Sequence, residues 1–264
     1  MKTIVYQGID GSFSYLTAKR LYGTSCQILG FPTFKEAFEA VEKGDADLAL
    51  LPIENTLAGT IYETLDLLAQ GTLKIVGVAN TRVEHSLLGI PGASIQSIRK
   101  VLSHPKALAQ VARFIAEHPA MEAISHYDTA GAASDVAKAK DPSCAAIANS
   151  AAAQTYGLEV LAQGIQDHAE NFTRFFLISK EATIGKKCSL CFTLAHRPGS
   201  LAAVLAFFAE HDVNLTYIVS RPIVGKPFEY MFYVDLETQN ATFIDGLRKN
   251  TNSLKVLGTY NVIP

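Results

Sequence analysis

The sequence predicts an α/β protein in which two comparable α/β sets are followed by a small separate domain. Three observations predict it. From residue 3 to about 165, short apolar strands alternate with amphipathic helical patterns, as in α/β architectures. The stretch SKEATIGKK (179–187) is polar and interrupts that alternation, which marks a linker. After it the pattern changes to strand, helix, strand, strand, helix, strand.

TIVYQG opens the chain as a strand, and a helix from Ser12 to Tyr22 follows. CQILGF is the next strand. The helix after it is opened by Thr33 with Glu36 three residues on, a capping-box pattern, and places Phe34, Ala37, Phe38 and Val41 at helical spacing. DLALLPI reads as a buried strand and Gly59 to Ala69 as a helix. A second set begins near KIVGVANTRVEHSLLGI. It continues through RKVLSH, a helix from Pro105 with Leu108, Val111, Ala112 and Ile115 on one face, and EAISHYD. A helix from Thr129 to Lys140, the strand CAAIAN and a helix around Ala151–Tyr156 complete it. Two such sets predict two lobes with a cleft between them. The strand in QDHAENFTRFFLIS (166–179) then suits a return to the first lobe. In the last part, strand 188–196, helix 199–211, strand 213–221, strand 228–237, helix 241–250 and strand 253–263 follow the βαββαβ order of ferredoxin-like domains. The expected domains are 1–180 and 187–264.

Composition excludes several classes of function. Hydrophobic residues make up 48% and charged residues 18% of the 264, as in a globular protein with a substantial core. The net charge of −2, without a long basic run, argues against a nucleic-acid partner. MKTIVYQGIDG lacks the apolar stretch of a signal peptide. No segment approaches the ~20 apolar residues that cross a bilayer. The expected address is cytoplasmic, with no membrane partner. Cys188 and Cys191 form a CxxC, but KCSLCFTLAH alternates like a strand and points them to opposite faces. With Cys26 and Cys144 they read as structural thiols, and no metal site is expected.

Chemistry is suggested by strand-end loops rich in small and polar residues. QGIDGSFS opens a helix with Gly8 and Gly11 allowing close backbone approach; it is neither a Walker A loop nor GxGxxG. YDTAGAAS leads into the helix from Thr129 with little side-chain bulk. Free amides at such helix starts attract a carboxylate as readily as a phosphate, although capping and tight packing would explain both loops equally. In LPIENTLAGTIYETL, an acid, an amide and a hydroxyl end an apolar strand, where α/β clefts collect ligands. His85 and His104 are acid–base candidates or structural histidines. In FTRFFLIS, alternation sends Thr173, Phe175 and Leu177 to one face and Phe172, Arg174, Phe176 and Ile178 to the other. Pro52–Thr56 ends its strand while Thr173 begins one, so both reach one edge only if the two strands run antiparallel.

In this order, DGSFS, PIENTLAGTI, HSLLG, SHPKALAQ, DTAGAA, AAIAN and IQDHAENFTRF resemble the prephenate dehydratase family. HRPGSLAAVL and NLTYIVSRPIVGKPFEYMFYVDLE resemble its C-terminal ACT domain. The resemblance spans essentially the whole chain, and Pro-Ile-Glu-Asn and Thr-Arg-Phe are its most specific elements. It implies a two-lobed catalytic domain, periplasmic-binding-protein-like, that converts prephenate to phenylpyruvate, carbon dioxide and water. Electrons flow within the substrate, so no cofactor or metal is expected. Thr173 is implied as the residue most directly tied to catalysis, with Arg174, Phe175 and Asn55 beside it. Gly11, Ser12, Glu54, Thr56, Thr129 and Ala130 are implied as substrate-binding. A threonine hydroxyl is a poor acid but a good positioned donor, so electrostatic stabilisation suits it. Arg174 either holds the pyruvyl carboxylate or pairs with a structural acid.

The resemblance further implies L-phenylalanine as an effector. It would bind at Gly199, Ser200, Leu201, Asn214 and Leu215, with Ser220, Arg221 and Pro222 supplied by a paired subunit. The family's Glu-Ser-Arg-Pro reads Val219-Ser220-Arg221-Pro222 here, so a glutamate partner for the effector's ammonium is missing at 219. The open edges of a βαββαβ sheet predict a homodimer or homotetramer. No chorismate mutase segment stands ahead of residue 1, so a monofunctional enzyme is expected. The rival readings are a small-anion binding protein and a regulator that kept the ACT domain and lost turnover.

Overall fold

The computed structural model describes residues 1–238 and 243–264. The chain forms two compact units. One holds Met1–Ala37, Glu54–Thr60 and Asn80–Arg174; the other holds Phe38–Ile53, Ile61–Ala79 and Phe175–Pro264.

In chain order the elements begin β1 (Thr3–Gln7), α1 (Phe13–Tyr22), β2 (Gln27–Phe31), α2 (Phe34–Lys43) and β3 (Leu48–Asn55). The capping box ahead of α2 forms as expected: Glu36 N donates to Thr33 Oγ1 and Thr33 N to the Glu36 carboxylate, both at 3.1 Å. A two-residue β4 (Gly59–Thr60) precedes α3 (Tyr62–Gln70). The helix expected from Gly59 starts three residues later because Gly59 has φ of +81°, outside the helical region. Next come β5 (Lys74–Arg82), β6 (Ser86–Gly89), a 3₁₀ turn and β7 (Lys100–Ser103).

Pro105 starts a helix, but not the single one that periodicity predicts. α4 (Pro105–Ala109) and α5 (Ala112–Ala116) are separated at Gln110 and Val111. Val111 sits at φ −124°, ψ 24°, and Asp167 fills the gap by accepting from Arg113 N at 3.2 Å and donating its own N–H to Gln110 O at 2.8 Å. The break frees the Gln110 side chain to turn inward.

The chain continues through β8 (Glu122–Ser125), α6 (Thr129–Ala139), β9 (Cys144–Ala148), α7 (Ser150–Tyr156), β10 (Glu159–Gln163) and β11 (Phe172–Ser179). β6 to β10 build a five-stranded sheet in the order β10-β6-β9-β7-β8. Alanines on α6, α7 and β9 let the helices lie close to that sheet: Ala132, Ala133, Ala146, Ala148 and Ala152 are all buried. Leu87, Val101, Ala145 and Ile147 fill the opposite face.

The last elements are β12 (Lys187–Thr193), α8 (Ser200–Glu210), β13 (Asn214–Pro222), β14 (Tyr230–Glu237), α9 (Phe243–Leu247) with a 3₁₀ turn, and β15 (Ser253–Val262). This is the predicted βαββαβ order. The first two residues of the helix expected at 241–250 lie outside the described residues. Within the second unit, strands follow the order β13-β14-β12-β15-β5-β11-β3. Cys188, Leu190 and Phe192 pack with Val204, Phe208 and Leu247 as the core of the βαββαβ part. Cys188 and Cys191 are buried free thiols, their pKa values pushed up by burial to about 12 and about 11. Among the described residues no helix is long and apolar enough to cross a membrane, and no His, Cys, Asp and Glu group is placed to hold a metal.

Candidate active site

The end of β3 lies against the start of β11. Thr56 N donates to Phe172 O at 2.9 Å, and Phe172 N to Thr56 Oγ1 at 3.0 Å. At the other ends of the same strands, Ser179 Oγ donates to Asp47 O at 3.1 Å. The strands therefore run antiparallel, and Pro-Ile-Glu-Asn-Thr meets Thr-Arg-Phe as the geometry required.

Strand alternation then divides the predicted residues between two faces. Thr173 and Asn55, each 8% exposed, belong to a buried amide network. The Asn55 side chain has its orientation fixed by the backbone: Oδ1 accepts from Leu57 N at 3.1 Å and from Ala58 N at 2.8 Å. Nδ2 must then point the other way, where it donates to Asn171 Oδ1 at 2.7 Å, Thr173 Oγ1 at 3.1 Å and Phe172 O at 3.2 Å. Because Thr173 Oγ1 accepts from Asn55, its own hydroxyl hydrogen is not spent on that contact. Asn171, wholly buried, passes the polarity on by donating Nδ2 to Gln110 Oε1 at 3.2 Å. Phe175 is buried two residues behind Thr173.

On the opposite face, Arg174 Nη1 lies 3.4 Å from Glu54 Oε2. Glu54, Thr56, Asn80, Phe172 and Arg174 line a cavity of about 340 Å³. Arg174 therefore has an acid partner, and it also lines a cavity. Thr173 is not among the residues that line this cavity.

The first helix-start loop is held by α7. Asn149, at its N-cap, donates Nδ2 to Gly11 O at 2.6 Å, and Tyr156 at its end donates its hydroxyl to Asp10 O. Gly11 is packed so closely that an added Cβ would lie 3.1 Å from the Tyr156 ring, and its φ is +85°. The Tyr156 pKa is raised by burial and then by the Asp10 and Asp128 carboxylates. Both helix starts also carry their own caps: Ser12 Oγ accepts from Tyr15 N at 3.2 Å, and Asp128 from Gly131 N. Thr129 is half-buried and Ala130 fully buried.

His104 caps α4 with Nδ1, which accepts from Lys106 N at 3.1 Å; burial, then Lys106, lowers its pKa. His85 behaves differently. It is 2% exposed and its Nε2 lies 2.8 Å from Gln110 Oε1.

In the second unit, Gly199 (φ +83°) caps the start of α8. His196, Arg197, Ser200, Leu201, Glu229 and Tyr230 are among the residues around a cavity of about 160 Å³ there. Asn214 and Leu215 do not line it; Asn214 Nδ2 lies 3.5 Å from Glu237 Oε2. Ser220 does not line it either, and Arg221 and Pro222 line another cavity, with Asp66 of α3. Arg221 grips Asp66 with Nε and Nη2, at 3.1 and 2.6 Å to Oδ2, and stacks 4.7 Å over the Tyr62 ring.

Gln110, Asn171 and Asp66 were not singled out by sequence. The first two stand inside SHPKALAQ and QDHAENFTRF, stretches already noted, but an amide shows no periodicity that sets it apart.

An α/β enzyme domain followed by a βαββαβ module is the class these features define. Residues 4–183 match the prephenate dehydratase family and residues 191–242 the ACT domain. The chain belongs to the prephenate dehydratase family, carries a C-terminal ACT domain, and is a dehydratase of the hydro-lyase type. It is 40% identical to arogenate dehydratase/prephenate dehydratase 2, chloroplastic, of Arabidopsis thaliana, over 98% of this chain and 72% of that protein. A prephenate dehydratase from Arthrobacter aurescens solved with L-Phe matches at 30% identity and TM-score 0.89, over 98% of this chain and 89% of the other. A structure described as GqqA, a quorum quenching acylase, matches at 34% identity and TM-score 0.91, over 100% and 99% of the two chains.

Proposed function

We propose that this protein converts prephenate to phenylpyruvate, carbon dioxide and water, and that phenylalanine inhibits it through the ACT domain. The ring carboxylate leaves as carbon dioxide, and the electrons of its C–C bond enter the ring. The hydroxyl at the opposite ring position departs with its bonding pair, takes up a proton and becomes water. The ring becomes aromatic, and every electron moved starts and ends in the substrate. What the protein must supply is orientation and stabilisation of the departing oxygen.

One observation carries this reading: the Asn55 amide, locked by two backbone N–H groups, donates to Thr173 Oγ1 and leaves the hydroxyl hydrogen available. Such a donor stabilises developing negative charge on the leaving oxygen. Gly11, Ser12, Glu54, Thr56, Thr129 and Ala130 are the proposed substrate-binding residues; Glu54, Thr56 and Arg174 line the cavity on the other face of the strand from Thr173. In this reading dehydration belongs to residues 1–180 and the effector response to 187–264. The enzyme is cytoplasmic and works as a dimer or tetramer.

An acylase, the description attached to one structural relative, needs a nucleophile paired with a base. The Thr173 hydroxyl is paired with an amide, which favours the dehydratase. The test is to mix purified protein with prephenate and follow phenylpyruvate absorbance, with arogenate in parallel because plant relatives are named for it. Higher kcat/KM on prephenate is expected; no turnover of prephenate refutes the reading.

A further inference from the structure

The amide network does not stop at Gln110. Its Oε1 receives two groups, Asn171 Nδ2 at 3.2 Å and His85 Nε2 at 2.8 Å. A carbonyl oxygen can only accept, so His85 Nε2 carries a hydrogen. His85 Nδ1 is buried and has no hydrogen-bond partner among the described residues. A second proton there would be an orphaned buried donor, so the ring is held as the neutral Nε2–H tautomer. Its backbone is fixed too: His85 N donates to Gln166 Oε1 at 3.0 Å, and His85 O accepts from Ile165 N at 3.1 Å. The ring edge rests on Phe13, with centroids 5.7 Å apart, at the first residue of α1.

Resting on the reading of Thr173 as the catalytic donor, we propose that His85 is a positioning residue whose Nε2–H fixes the polarity of the Gln110–Asn171–Asn55 relay and so keeps the Thr173 hydroxyl free to donate. If Gln110 turned over, its amide nitrogen would face both His85 Nε2–H and Asn171 Nδ2, three donors without an acceptor. Asn171 could escape only by turning as well, which would set its nitrogen against Asn55 Nδ2. The backbone N–H groups of Leu57 and Ala58 lock one end of the relay, and His85 locks the other. The break between α4 and α5 is what allows Gln110 to reach it. This gives a local reason for a helix that periodicity predicts as continuous.

A double-mutant cycle on the full-length protein tests the proposal. His85→Phe keeps a ring against Phe13 and deletes the N–H; His85→Gln keeps an N–H that can reach Gln110. With prephenate as substrate and folding checked by circular dichroism, His85→Phe should lower kcat about 10-fold, a coupling of ordinary size, with KM nearly unchanged. His85→Gln should recover most of that loss. In a Thr173→Val background, where there is no hydroxyl to aim, His85→Phe should cost less than about 2-fold, because residues acting as one unit are not additive. Equal losses in both backgrounds, or equal behaviour of the Phe and Gln variants, would overturn the proposal. If His85→Phe does not fold, His85→Asn, too short to reach Gln110, takes its place. A Thr173→Val enzyme with normal kcat would instead sink the reading of Thr173, so the two failures are distinct.

Discussion

Asn55→Asp is the sharpest perturbation of the relay because it changes almost no volume. The new carboxylate keeps the two bonds from Leu57 N and Ala58 N. It loses all three donations made by Nδ2, at 2.7, 3.1 and 3.2 Å to Asn171, Thr173 and Phe172. In their place an anionic acceptor faces two oxygens that can only accept, and the Thr173 hydroxyl hydrogen is drawn to it. The donor needed by the leaving oxygen is then consumed. Losing one such transition-state donor costs about 2.7–4 kcal/mol, so kcat should fall roughly 10²–10³-fold. The site is buried, so two unsatisfied acceptors add about 1–3 kcal/mol each of lost stability.

The same geometry predicts a recovery. Burial beside acceptors raises the pKa of the introduced carboxyl, and its protonated form regains one donor. Activity of Asn55→Asp should therefore rise relative to wild type as pH falls toward and below that raised pKa. The assay is the kcat ratio of variant to wild type from pH 8 to pH 5. A variant within a few-fold of wild type at every pH would refute the donor relay, whatever the fold.

Asp66→Asn weakens the grip on Arg221 between β13 and α3, the helix that follows the Pro-Ile-Glu-Asn-Thr loop. Both side chains are partly exposed, so stability should change by about 1 kcal/mol or less, while phenylalanine titration of turnover should shift several-fold with uninhibited kcat unchanged; superimposable curves refute the link. Burial lowers the His85 pKa below its ordinary 6.5. The unfolded chain thus binds a proton that the folded one refuses, and wild type loses stability as pH falls below about 6.5 through the depressed folded value. His85→Gln should lack this component, so denaturant midpoints of the two proteins should draw together between pH 7.5 and pH 5.5; parallel midpoints contradict it.

Much of the architecture could be read from residue pattern because pattern and burial coincide. β11 reads as a strand, and Thr173, Phe175 and Leu177 are buried on one face of it, while Phe176 and Ile178 are buried on the other. The capping box at Thr33 and Glu36 is local, so sequence contains all of it. β10 escaped detection because it is mostly exposed and carries no alternation of burial. The break at Gln110 escaped because Leu108, Val111 and Ile115 keep helical spacing across it, while the group that fills it, Asp167, comes from far along the chain. The relay itself joins residues 55, 85, 110, 171 and 173. Only the tertiary fold brings those amides together, and Gln110 and Asn171 do not stand out in a linear reading. Arg221 stands in the Ser-Arg-Pro element of the ACT resemblance, but its partner Asp66 was not legible, since an acid on a helix is ordinary until the fold sets it opposite a guanidinium.

The central claim is that the Thr173 hydroxyl, aimed by Asn55, stabilises the departing oxygen of prephenate. Thr173→Val keeps the branched shape in a strand that favours it and removes only the donor. Its kcat for phenylpyruvate formation at saturating prephenate, measured on protein with wild-type thermal stability, should be about 10²-fold or more below wild type. A Thr173→Val enzyme with near-wild-type kcat would contradict the account.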